Sequence, residues 1–70
     1  MKAKEMEGLI KRLEGRAMAV AYADSEMAAA YRAGSHTKAT VWQTERGQRF
    51  QEVTELWTQI HAGLTEGVEP

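Results

Sequence analysis

Asp24, Ser25, Ser35, His36 and His61 are the side chains of this sequence from which a serine–histidine–carboxylate triad could be assembled. A hydrolytic triad needs serine, histidine and carboxylate within hydrogen-bond reach of one another, inside a concave pocket. The spacing of these five does not bring three of them together. His36 falls in a turn and His61 near the end of a helical segment. Neither shares a face with another histidine or a carboxylate at metal-ligand spacing, so both read as surface or capping histidines. Gly8, Gly15 and Gly34 fit no nucleotide-binding fingerprint. The expectation is a protein that is not an enzyme, with no catalytic residue, no cofactor site and no metal site.

The elements that carry these residues follow from a mirror pattern. Folded in half at Ser35, the chain places apolar residues opposite one another: Met6 and Leu64, Ile10 and Ile60, Leu13 and Trp57. Ala17 then faces Val53, Val20 faces Phe50, and Tyr31 faces Ala39. The exception, Asp24 against Arg46, is complementary in charge. The pattern predicts an all-α antiparallel two-helix hairpin, with helices over about 3–33 and 37–63. Residues 1–64 form the hairpin domain, and 65–70 a flexible C-terminal tail.

Residues 3–33 carry Met6, Leu9, Ile10, Leu13, Val20, Met27 and Tyr31 at three- and four-residue steps, on one helix face. Alanine, the best helix former, dominates from Ala17 onward. Such a helix is about 45 Å long. Asp24-Ser25-Glu26 also reads as an N-cap that would split it, although no glycine or proline precedes it. Gly34 suits a left-handed C-cap, and Ser35 or Thr37 can cap the second helix. The stretch 37–47 is ambiguous, because Thr37, Thr40, Val41, Trp42 and Thr44 have strand propensity. The mirror pairing and the lack of a second strand favour helix.

A lone hairpin of 70 residues buries little surface, and the usual staples are missing: there is no cysteine. A partner is therefore expected. The formal charge is −1, so no global field draws the chain to nucleic acid or anionic membrane. The charged start, Met-Lys-Ala-Lys-Glu, lacks an apolar signal region, and no segment is long and apolar enough to span a bilayer. A cytoplasmic location is expected.

The first helix faces its partner with one side. The opposite side is polar up to Arg16, then turns apolar with Met18, Ala19, Tyr22, Ala29 and Ala33. A helix apolar all round is normally buried all round. Small residues here let a second copy approach, with Met18 and Tyr22 at the dimer seam or on a target surface; two hairpins then make a four-helix bundle. Arg16, Met18, Tyr22, Tyr31 and Arg32 are the candidate partner-binding residues, since aromatic and arginine anchors dominate interface energetics. Asp24 and Arg46 are expected to pair and to fix helix register.

In architecture alone this resembles the small plasmid-encoded antiparallel hairpin dimers of the Rop type; no motif is shared and no residue role is carried over. The function expected is a homodimeric adaptor or inhibitor of another, unidentified protein, of the kind that phages and plasmids encode. Two alternatives stand beside it. One is a nucleic-acid accessory protein using Lys2, Lys4, Lys11, Arg12 and Arg16, although Glu5, Glu7 and Glu14 interleave with that stripe. The other is a small chaperone holding a partner helix in a groove lined by Met6, Met18 and Met27. Membrane attachment is not expected.

Overall fold

Alanine-rich sequence without interior proline gives the backbone no reason to break, and it does not. The computed structural model of residues 1–70 contains two helices, α1 (Ala3–Arg32) and α2 (His36–Glu66), packed against each other. α1 runs through Asp24-Ser25-Glu26 without interruption. The ambiguous stretch 37–47 is helical. Its threonines manage this by turning their hydroxyls back onto the preceding turn: Thr40 donates to the His36 carbonyl at 2.9 Å and Thr44 to the Thr40 carbonyl at 3.2 Å. Such a bond satisfies the hydroxyl within the helix.

The turn is a Schellman motif. Gly34 has a left-handed φ of 75°. Its N–H donates to the Tyr31 carbonyl at 3.0 Å, and that of Ser35 donates to the Ala30 carbonyl at 2.9 Å. Ser35 occupies the N-cap of α2, but its hydroxyl makes no capping bond. The other end of the hairpin is also tied. Residues 65–70, expected as a tail, contain the last two residues of α2 and a short return segment. There Glu69 accepts a bond from the Ala3 N–H at 2.7 Å and donates its own N–H to the Met1 carbonyl at 2.8 Å.

The seam between the helices has a heptad period. In α1 it runs through Met6, Leu9, Leu13, Arg16, Val20, Ala23, Met27 and Ala30; in α2 through Ala39, Trp42, Arg46, Arg49, Val53, Leu56, Ile60 and Gly63. Steps of three and four alternate without a break, and every position except Arg16 is buried or half-buried. This is the spacing that keeps two helices in contact along their length. Gly63 lies against Met6: a Cβ added there would stand 2.8 Å from the Met6 methyl.

This seam corrects the mirror ladder. Met6 and Ile60 are buried, but Leu64 and Ile10, their expected partners, are exposed. Trp57, Phe50 and Tyr31 are also exposed, at 57%, 54% and 59%. Each expected pair joins a seam residue to a residue one helical step outside the seam. One residue turns a helix by about 100°, enough to move a side chain from the seam to its flank. Asp24 and Arg46 do form the expected ion pair, because the long arginine side chain reaches from the seam to the flank.

Both side chains of that pair remain nearly half exposed, at 46% and 43%. Water weakens such a pair, so a double-mutant cycle with Asp24→Asn and Arg46→Gln should give a coupling of about 0.5–1 kcal/mol. Independent effects in urea unfolding would show that the charges act separately.

The hairpin is a thin rod, with extents of 52 × 14 × 11 Å. Its radius of gyration is 15.8 Å, against about 11 Å for a globular chain of this length. Its surface is 5205 Å², about 800 Å² more than a compact monomer of this mass exposes. Seven residues are buried, and two of the largest, Leu56 and Ile60, lie in the open-end half of α2.

Candidate interaction surfaces

A two-helix rod has two flanks where the helices meet, and here they differ in chemistry. One flank is polar. Towards the open end it holds a groove of about 370 Å³ where Arg12 and Arg16 look across at Glu52 and Glu55. Arg16 and Glu52 form an ion pair at 3.5 Å. Nearer the turn a shallower groove of about 210 Å³ is lined by Glu26, Ala29, Ala33, Lys38 and Trp42.

Between the two grooves the seam is closed by a cluster around Arg49. Its Nη1 donates to the Ala19 carbonyl at 2.9 Å, and its Nε donates to Glu45 at 3.3 Å. Its guanidinium carbon lies 5.7 Å from the centre of the Trp42 ring, which meets Tyr22 edge-on at 5.7 Å. The small Ala19 lets the guanidinium approach backbone on the facing helix. A charged donor on an otherwise satisfied mid-helix carbonyl crosslinks α1 to α2 without disturbing either ladder. Arg49→Lys keeps the charge but loses the planar fork and the stacking on Trp42. A cost of about 1–2 kcal/mol is expected in urea unfolding, nearly that of Arg49→Ala.

The other flank is apolar. From the open end towards the turn it presents Leu64, then Ile10 with Trp57, then Ala17 with Phe50, then Asp24 with Arg46, and last Tyr31 with His36. The large apolar members are all exposed to solvent. Tyr31 and His36 meet edge-on at 6.0 Å, which places the two helices' flank positions at the same height. An apolar strip running most of the length of a rod is the feature of this molecule that water tolerates least.

The five candidate binding residues do not form one patch. Met18 and Tyr22 are neighbours one turn apart on α1, both well exposed. Arg32 lies further along the outer side of α1, in its last turn. Arg16 sits at the seam, in the ion pair with Glu52, and Tyr31 belongs to the apolar flank. Trp42 and Arg49 are not among the expected site residues, yet they organise the polar flank. The signal for Arg49 was its place in the heptad register of α2.

His36 and His61 stand near opposite ends of α2, about 37 Å apart along the axis, so they serve no common site. No three His, Asp or Glu side chains converge on a point. Neither helix is long and apolar enough to cross a membrane. No family model matches the chain, and neither a curated protein nor a solved structure matches it.

Proposed function

We propose that this chain is a non-enzymatic protein-interaction module that pairs with itself to form a four-helix bundle and acts as an adaptor or inhibitor of another protein. The observation that carries the reading is the exposed apolar strip of Ile10, Tyr31, Phe50, Trp57 and Leu64 on a rod whose buried core is small. Burial of such side chains is worth about 1.5–3 kcal/mol each, a driving force that a single hairpin leaves unused. Self-pairing uses it. The outer side of α1, with Met18, Tyr22 and Arg32, then stays free for a protein target.

The nucleic-acid reading draws less support from the same geometry. Arg12 and Arg16 face Glu52 and Glu55 across the polar groove, and that arrangement dilutes a basic stripe.

Sedimentation equilibrium tests the self-pairing. A mass of twice 7.8 kDa is expected at micromolar concentration. A well-folded species of 7.8 kDa throughout that range would sink the proposal. For the target, affinity capture from the source cells with the native chain, Met18→Glu and Tyr22→Glu is informative. A partner lost in both variants, with the dimer intact, is the expected result.

A further inference from the structure

Two hairpins can close flank to flank in two ways. With the two-fold axis along the rod, α1 of one copy faces α2 of the other at equal height, and both turns lie at the same end. With the axis across the rod, each helix faces its own counterpart running the other way, and the turns lie at opposite ends. Both give a closed, isologous pair with antiparallel neighbours.

The residues on the flank discriminate between them. The axis along the rod sets Ile10 on the partner's Trp57. It sets the small Ala17 under the partner's Phe50, Asp24 beside the partner's Arg46, and Tyr31 beside the partner's His36. Apolar meets apolar, small meets large, and opposite charges meet at one level. Asp24 and Arg46, already nearly half exposed, gain a second partner of opposite sign. The axis across the rod, centred near Ala17 and Phe50, brings Ile10 to Asp24, Trp57 to Gln43 and Leu64 to His36. Each of these sets an apolar group against a polar one, and the Asp24–Arg46 pair gains no second partner of opposite charge.

The area fits as well. A compact protein of twice this mass exposes about 7,300 Å², whereas two separate hairpins expose twice 5205 Å². Closing that gap buries about 3,200 Å² in all, within the range of about 2,000–5,000 Å² of obligate homodimers.

We propose that a second copy of this chain docks on the Ile10–Trp57–Phe50–Leu64 flank about a two-fold axis parallel to the rod, so that both turns lie at the same end. The proposal rests on the self-pairing reading above and adds the surface and the orientation. It moves the dimer seam away from Met18 and Tyr22.

The chain has no cysteine, so Thr37→Cys, exposed beside the turn, introduces a single labelling site. Pulsed dipolar spectroscopy on the spin-labelled protein should give an inter-label distance within about 30 Å, two helix layers across. A distance of about 40 Å or more, twice the 13 residues between Thr37 and Phe50 at about 1.5 Å each, would overturn the orientation while leaving self-pairing intact. Absence of any dipolar coupling, with a 7.8 kDa monomer in sedimentation, would overturn both. Two substitutions locate the surface. Trp57→Glu should raise the dimer dissociation constant at least about 100-fold, a loss typical of a charge forced into an interface centre. It should leave helix content unchanged. Met18→Glu should leave the dissociation constant within about 3-fold of the parent, as expected of a residue outside the interface. The reverse pattern would place the seam on the outer side of α1 and refute the flank.

Discussion

Leu56→Ala is expected to destabilise the isolated hairpin by about 2–4 kcal/mol, and Trp57→Ala, at the next position, by less than about 1 kcal/mol. Side-chain size alone predicts the opposite order. The difference lies in position: Leu56 is in the seam at 5% exposure, and Trp57 is on the flank at 57%. Truncating Leu56 leaves a void that two rigid helices cannot collapse around, so packing contacts are lost with the transfer energy. Truncating Trp57 removes atoms that already face water. A domain of 70 residues has a total stability of about 4–10 kcal/mol, so Leu56→Ala takes a large share of it.

The measurement is urea unfolding followed by circular dichroism, at a concentration low enough for the single hairpin to dominate. At higher concentration the order should narrow, because pairing stabilises the folded state by mass action and Trp57→Ala weakens the pairing. If Trp57→Ala were the costlier change in the dilute sample, the seam would have to be rotated by one residue, back to the mirror ladder about Ser35.

That one-residue difference marks how far the sequence can be read. The hairpin itself was legible: alanine and the absence of proline dictate one long first helix, and the glycine at 34 dictates where it stops. The register was legible only to within a step, because apolar residues occupy two columns of each helix. The seam column pairs positions whose numbers add to 69, as Met6 and Gly63 do. The flank column carries Ile10, Tyr31, Phe50, Trp57 and Leu64. A search for facing apolar pairs mixes the two columns and settles between them. The Asp24–Arg46 pair survived this error because an arginine side chain is long enough to bridge a column.

The site was harder to read for a related reason. Arg16, Arg46 and Arg49 all occupy seam positions, where apolar residues are the rule. Arg46 and Arg49 are half-buried there and Arg16 is exposed, and each carries its charged head to an acceptor: Glu52 for Arg16, Asp24 for Arg46, and the Ala19 carbonyl with Glu45 for Arg49. Pattern reading registers three interruptions where packing finds three covers. Trp42 was masked by its β-branched neighbours, which suggest a strand until the threonine hydroxyls are seen to fold back. The mirror ladder uses the flank residues as core, which leaves Met18 and Tyr22 as the apparent excess. The excess is larger than that face, and most of it lies on the other side of the rod.

Replacing Gly8, Gly15 and Gly47 together by alanine is expected to raise stability by about 2–3 kcal/mol, the sum of three helix-interior gains of about 0.8–1 kcal/mol. All three sit inside α1 or α2, and a Cβ at any of them meets nothing within 4 Å. They are at least about 10 Å apart, so the gains should add. For a chain of this size the sum is a rise in melting temperature of about 10–20 °C. The other glycines should rank differently. At Gly63 an added Cβ falls 2.8 Å from Met1 and Met6 side-chain ends, which must swing aside, so its gain is smaller. At Gly34 the left-handed backbone of the turn makes alanine a loss. Calorimetry on the five single variants and the triple tests the order; a gain at Gly34 or a loss at Gly15 would contradict the helix boundaries. The triple variant matters beyond its own stability. In that background Trp57→Glu can lose the dimer without approaching the unfolding threshold, so loss of pairing and loss of fold become separable readings of the same flank.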